Sequence, residues 1–214
     1  QVNLQTTNAE VEINLPWTGW YVDVGLQRLY DNVRDPYRTL FSTLSLTGDR
    51  LAFWGADAVG VTVHGNFAGN MVRLGFFDLY SNKISQDDDV FLSEVVYDRW
   101  LGGALHVGGN VRWVRDTSSG LGGIGILGQG PNSGLTEYNG AFRFKVGNDN
   151  YQANVVWVGL DASYNPEFAA GRFGASAFVV GNFGAVEHGL DAAHRDQVIT
   201  IAGVAADLRA GWKY

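Results

Sequence analysis

The chain has 214 residues, with 29 Gly, 7 Trp, 9 Tyr, 12 Phe, one Met, no Cys and a formal net charge of −7. Mean hydropathy is −0.06, and no run approaches the ~18 consecutive apolar residues of a spanning helix. Helical membrane insertion, disulfide frameworks and Cys-based sites are therefore excluded, and the acidic balance argues against general nucleic-acid binding.

In chain order the dominant signal is alternation with a period of two, which marks strands. Val11, Ile13 and Leu15 alternate before Pro16, and Trp20, Val22, Val24 and Leu26 form a second run. The connection Asp31 to Pro36 is polar and ends in a proline that breaks pairing. A third strand is expected over Tyr37 to Leu46, then a tight turn at Thr47-Gly48-Asp49. Leu51, Phe53, Val59, Val61 and Val63 share one parity of a fourth strand that reaches about His64. Gly65 to Asn70 reads as the next turn, with Val72, Leu74 and Phe76 opening the fifth strand. Ser81 to Asp89 is an acidic loop, and strands follow near Val90–Leu101 and Ala104–Arg115, with Gly102-Gly103 as a turn or kink. Arg115 to Glu137 is the longest irregular stretch; a loop of that length is usually functional or disordered.

The clearest hairpin has Phe142, Phe144 and Val146 alternating with Arg143 and Lys145, a reversal at Gly147 to Asn150, then Tyr151, Ala153, Val155 and Trp157 alternating with Gln152 and Asn154. Another strand spans roughly Ala169–Gly181. Gly65-Asn66-Phe67 recurs as Gly181-Asn182-Phe183, which reads as shared turn chemistry rather than duplication. No linker, helical domain or long repeat divides the chain, so residues 1–214 read as a single domain of roughly ten or eleven strands.

The last eighteen residues carry the most information. Val198, Thr200, Ala202, Val204, Ala206, Leu208, Ala210, Trp212 and Tyr214 fall on one uncharged face; Gln197, Ile199, Ile201, Gly203, Ala205, Asp207, Arg209, Gly211 and Lys213 fall on the other. Water-soluble strands average about 5–6 residues, whereas membrane-crossing strands need roughly 9–11. A long strand that stops on an aromatic resembles the terminal strand of bacterial outer-membrane β-barrels, although the glycine expected near Arg209 stands here at Gly211. Over the whole chain the look is similar to porins and alginate-exporter-like barrels, a resemblance of pattern without a family motif. It implies an all-β antiparallel transmembrane β-barrel, or a section of a larger one, in the outer membrane of a Gram-negative-type bacterium. Its expected partners are the lipid bilayer, a hydrophilic solute and, if the barrel is incomplete, a second chain. The start at Gln1 without Met fits a cleaved signal peptide or a proteolytic fragment. A secreted soluble β-domain is the competing class, with the same short strands and frequent Gly.

A lysine or arginine on the lipid face near mid-membrane costs roughly 2–4 kcal/mol. Arg73, Arg112, Arg143, Lys145, Arg172, Arg209 and Lys213 are therefore expected to line the lumen, with Phe142, Phe144, Tyr151, Trp157, Trp212 and Tyr214 facing lipid. Acids concentrate in expected connections, including Asp87 to Asp89, Asp149, Asp161, Glu167, Glu187, Asp191 and Asp196, which would leave a cationic wall that favours anions. Against this, lumenal arginines also pair with acids such as Glu94 or Asp207 simply to fill a barrel. The aspartates 87 to 89 lack the glycine and ligand spacing of a calcium loop. His188 and His194 lack metal-pair spacing, and nothing fixes Ser93, Ser118 or Ser119 near a histidine, so no catalytic residue, metal or cofactor is expected. The function expected is that of an outer-membrane channel or exporter for hydrophilic solutes. The alternative is a filled structural or adhesion barrel acting through its loops, because barrels of about eight strands are filled by side chains.

Overall fold

The computed structural model describes residues 9–16, 18–28, 57–81, 89–117, 151–168, 171–188 and 198–213. They form strands β1 (Ala9–Leu15), β2 (Trp20–Arg28), β3 (Asp57–Phe67), β4 (Asn70–Tyr80), β5 (Val90–Leu101), β6 (Leu105–Asp116), β7 (Tyr151–Tyr164), β8 (Glu167–Phe168), β9 (Gly171–His188) and β10 (Val198–Lys213). All belong to one antiparallel sheet in the order β1-β2-β3-β4-β5-β6-β7-β9-β10, with the two-residue β8 pairing on β9. Consecutive strands are neighbours throughout, so the sheet is a meander. The described residues contain no helix.

Alternation sorts the two faces. On the inner face stand all the buried hydrophobic side chains, among them Phe77, Leu92, Val114, Val155, Val186 and Ile201. The buried polar residues Gln27, Thr62, Glu94, Asp98, His106, Arg112, Asp116 and Asn182 share that face. The outer face presents Val24, Val59, Phe76, Val95, Val111, Leu160, Val179, Val204 and Leu208 to the surroundings, the last two 73% and 77% exposed. Over its middle the arrangement is inverted relative to a water-soluble sheet: Glu94, Asp98 and Arg112 are covered and large apolar side chains stand open, while the exposed Arg99, Arg115 and Glu187 lie on the outer parity near the strand ends. Monomeric soluble proteins rarely expose apolar patches beyond a few hundred Å², and larger ones mark protein or membrane contact.

The two edges of the sheet differ. Short connections join β1 to β2, β3 to β4, β5 to β6 and β7 to β9, while all the long connections lie at the other edge. At the β5–β6 reversal Gly102 and Gly103 adopt φ +60° and +76°, a left-handed pair that glycine tolerates without a Cβ penalty. The short-turn edge carries several aromatic pairs. Trp20 lies 6.2 Å from Phe67, and Phe173 lies 6.4 Å from both Tyr164 and Trp212 (ring centroids). Nearby, Tyr97 donates to Asn70 Oδ1 at 2.7 Å.

The strands are also staggered. One hydrogen-bonded row runs through Glu12, Asp23, Thr62, Gly75, Glu94, Arg112, Trp157, Asn182 and Gly203. Measured from that row, the short-turn ends lie three residues away at Leu15, five at Phe67, seven at Leu101 and Tyr164, and ten at Lys213. From β1 to β10 the distance grows from three to ten residues, with no change between β5 and β7. A net shear is what a sheet closing on itself requires.

Several expectations change. The turn expected over Gly65 to Asn70 is confined to Ala68-Gly69, because β3 continues to Phe67. The repeated Gly-Asn-Phe is not turn chemistry: residues 181 to 183 lie inside β9 and 65 to 67 close β3. In both copies the outward glycine makes room for an aromatic ring. A Cβ at Gly65 would come within 2.9 Å of the Trp20 ring, and one at Gly181 within 2.9 Å of Phe183. Asp161, Glu167 and Glu187 sit in strands rather than connections. The expected strand at Tyr37–Leu46, the Phe142–Val146 strand and most of the Arg115–Glu137 loop lie outside the described residues. Arg115 and Asp116 themselves end β6.

Candidate functional site

The chemistry of the described residues is concentrated on the inner face, where three polar groups of side chains occupy neighbouring strands. The central one is a carboxylate held by two guanidinium groups. Glu94 on β5 places Oε1 2.8 Å from Arg73 Nη2 on β4, and Arg112 Nε on β6 donates to Glu94 Oε2 at 3.2 Å. Glu94 and Arg112 are almost fully covered, while Arg73 is partly open. The register explains how Glu94 reaches sideways: its partner on β4 is Gly75, where a Cβ would lie 2.8 Å from Glu94 Cγ. Charge-assisted pairs of this geometry are strong once assembled, and removing one partner of a buried pair is costly.

The second group lies nearer the short turns. His106 Nε2 on β6 approaches Asp98 Oδ1 on β5 at 2.9 Å, and its Nδ1 faces Asp161 Oδ2 on β7 at 3.6 Å. Trp100 leans on the imidazole with ring centroids 5.2 Å apart. Gly108 is in register with both aspartates, and a Cβ there would sit 2.9 Å from Asp98 Oδ1, so a larger residue would have to displace the carboxylates. Ser163 is the register partner of His106. Both ring nitrogens of His106 thus face carboxylates. The third group joins β1, β2 and β3. His64 Nδ1 lies 3.1 Å from Asp23 Oδ2, His64 Nε2 lies 3.9 Å from Glu12 Oε2, and Thr62 Oγ1 lies 3.0 Å from Asp23 Oδ2. Tyr21 stacks on His64 at 5.2 Å. Among the described residues no group of three His, Cys, Asp or Glu side chains is arranged to hold a metal ion.

Of the basic residues singled out in the sequence, Arg73, Arg112 and Arg209 lie on the inner face, and the register gives Arg172 and Lys213 the same parity. Arg209 is paired with Asp207, two residues earlier on the same face. Arg143, Lys145, Phe142, Phe144 and Tyr214 lie outside the described residues. Trp212 stands on the exposed outer face.

Trp157 requires a correction. The register places it on the inner parity of β7, and its side chain is only 4% exposed; the side chain of Tyr151 lies outside the described residues. Val155 is fully buried beside Val114 for the same reason. The alternation of β7 is ambiguous by itself, since Val156, Val158 and Leu160 make its other parity equally apolar. The polar Gln152 and Asn154, read as inner, are exposed on the outer face near the long-connection edge. There Trp113 Nε1 donates to Asn154 Oδ1.

The acids also fall differently from expectation. Among the described side chains, Glu10, Glu12, Asp23, Glu94, Asp98, Asp116, Asp161 and Asp207 all share the inner face with the four bases Arg73, Arg112, Arg172 and Arg209. The inner face therefore carries more acids than bases among the described residues, and is not a cationic wall. Sequence reasoning named Glu94 and Asp207 as partners but missed the Asp98–His106–Asp161 group. Its available signal was the in-strand glycine at position 108, flanked across the sheet by two carboxylates. No family model, curated protein or solved structure matches the chain.

Proposed function

We propose that this chain forms the wall of an outer-membrane β-barrel that passes hydrophilic solutes. The observation that carries the reading is the inverted middle of the sheet, with large apolar side chains open outside and charged groups covered inside. Lipid accepts the first, and a closed hydrogen-bonded sheet is the only β arrangement that satisfies backbone groups within it. The net stagger, the aromatic pairs at the short-turn edge and the long connections at the opposite edge supply further support, because outer-membrane barrels combine shear, aromatic girdles and unequal loops. A solute path fits best along β1 to β3 and β10, where Glu10, Glu12 and Asn14 are exposed and Asp23, His64, Asp207 and Arg209 are half-buried.

A second reading has its own observation. From β4 to β9 the inner face is tightly covered, with Phe77, Leu92, Val114, Val155 and Val186 at 0% exposure and Arg112 at 2%. That favours a filled barrel that acts through its long connections. Purified protein is expected to require detergent and to migrate differently on gels before and after heating. Single-channel recording then decides between the readings: steps of conductance support passage, and a silent, fully assembled protein supports the filled barrel. A chain that stays monodisperse without detergent refutes both.

A further inference from the structure

Near the long-connection edge the outer face changes character within two residues of strand. One outward row, Trp113, Val156 and Phe183, is apolar and belongs to the open surface. The next is Arg115, Asn154 and Ala185, and beyond it Gln152 stands beside Glu187. Arg115, Gln152, Asn154 and Glu187 are all exposed. On β5 the register partner of Arg115 is Phe91, and the outward Arg99 follows Phe91 by eight residues. Between Phe91 and Arg99 that parity holds only the uncharged Ser93, Val95 and Tyr97. The two arginines thus bracket about 26 Å of extended strand, and a lipid-facing apolar band is about 25 Å tall. Arg115 therefore stands where a headgroup region would begin.

A cleft of about 280 Å³ opens at this level, with Arg115, Thr117, Gln152, Asn154, Ala185 and Glu187 in its wall. Trp113 Nε1 donates to Asn154 Oδ1. An indole N–H can only donate, so the Asn154 oxygen is committed and its Nδ2 hydrogens remain for an acceptor. Among the described residues no ion pair or hydrogen bond engages the side chains of Arg115, Gln152 or Glu187. Arg115 and Glu187 lie on the strands either side of β7, roughly 10 Å apart across the sheet, with the two amides between them. We propose that this cleft binds the zwitterionic phosphoethanolamine headgroup of a membrane lipid. Arg115 and the amides of Asn154 and Gln152 donate to the phosphate, and the lipid's ammonium group donates to the Glu187 carboxylate. Guanidinium and amide donors suit phosphate oxygens, while the nearby carboxylate disfavours a headgroup that carries negative charge alone. The occupant is a lipid, not a dissolved phosphate, because the row beneath the cleft is apolar; this step rests on the barrel reading, which places that row among acyl chains.

Native mass spectrometry of the full chain, folded in detergent to its heat-modifiable form, reads the site directly. The probes are phosphatidylethanolamine, phosphatidylcholine and phosphatidylglycerol with identical acyl chains. Wild type is expected to hold phosphatidylethanolamine roughly fivefold more tightly than either other lipid, the size of one exposed ion pair. Phosphatidylcholine lacks the N–H donors that Glu187 accepts, and phosphatidylglycerol lacks the cation. Glu187→Gln should therefore largely remove the preference over phosphatidylcholine and strengthen phosphatidylglycerol. Arg115→Gln should weaken all three lipids, again by roughly fivefold. Both side chains are exposed at strand ends, so each variant is expected to keep its heat-modifiable form. Equal retention of the three lipids by wild type, or unchanged affinities in both variants, would overturn the proposal. So would displacement of the lipid by an equal concentration of water-soluble phosphorylethanolamine, which would make the cleft a site for a dissolved phosphate. Those results leave the barrel reading standing, whereas a chain that is monodisperse without detergent removes that reading and this site together.

Discussion

Glu94 sits between two arginines because the residue opposite it has no side chain, and that small arrangement sets the strongest test at the residue level. Glu94→Gln keeps the shape and removes the charge, leaving two guanidinium groups facing one another in a covered site. Loss of one partner of a buried pair costs about 3–5 kcal/mol, so the urea midpoint of the detergent-folded protein is expected to fall sharply. Arg73→Gln should cost less, since Arg73 is partly open to solvent and Arg112 still compensates the carboxylate. Gly75→Leu should also lower the midpoint, because a side chain there meets both the Phe77 ring and the Glu94 side chain. An unchanged midpoint for both Glu94→Gln and Gly75→Leu would show that the cluster contributes nothing to the fold. Glu94 was legible as a partner because it stands amid apolar residues on a long strand, whereas the orientation of Trp157 was not. Its neighbours on β7 give two apolar faces, and only pairing with β6 and β9 selects one.

At the scale of the strand, β10 states its sidedness most plainly. Val204 and Leu208 stand on the open face while Ala205 packs toward the covered core. Val204→Arg should hinder membrane insertion by about 2–4 kcal/mol, the usual penalty for a lipid-facing arginine near mid-membrane. Glu12→Arg, on the exposed inner face of β1, should insert normally because its head group stays with Asp23 and water. Equal insertion of both, scored by protease protection in vesicles, would remove the assignment of faces. Deleting Trp212 to Tyr214 takes away the Trp212 contact with Phe173 and the end of a long strand pair. The expected outcome is a lower yield of the heat-modifiable form.

For the whole molecule the balance of charge inside the sheet decides what a path would prefer. Eight acids and four bases share the described inner face, and Glu94 and Asp207 each hold arginine partners. If solutes pass, the reversal potential in a salt gradient should lie on the cation side and move toward zero at high salt as the charges are screened. Glu12→Gln should reduce the preference. Anion selectivity would mean that residues beyond the described inner face dominate the path.

Sequence alone determined that this chain is built of long antiparallel strands joined in chain order. A period of two and the placement of glycine and proline are local properties of consecutive residues. It also determined which parity of β10 is uncharged, because Asp207, Arg209 and Lys213 all fall on the other parity. The tertiary structure alone decided which face of β7 is covered, that acids and bases share one face, and that the short-turn ends carry a net stagger. The physical reason is register. Pairing between strands fixes which side chains become neighbours, and a one-residue slip exchanges the two faces completely. No single strand carries that information. Gly75 and Gly108 read as weak points of their own strands, and matter for packing only when Glu94, Asp98 and Asp161 arrive from the strands beside them.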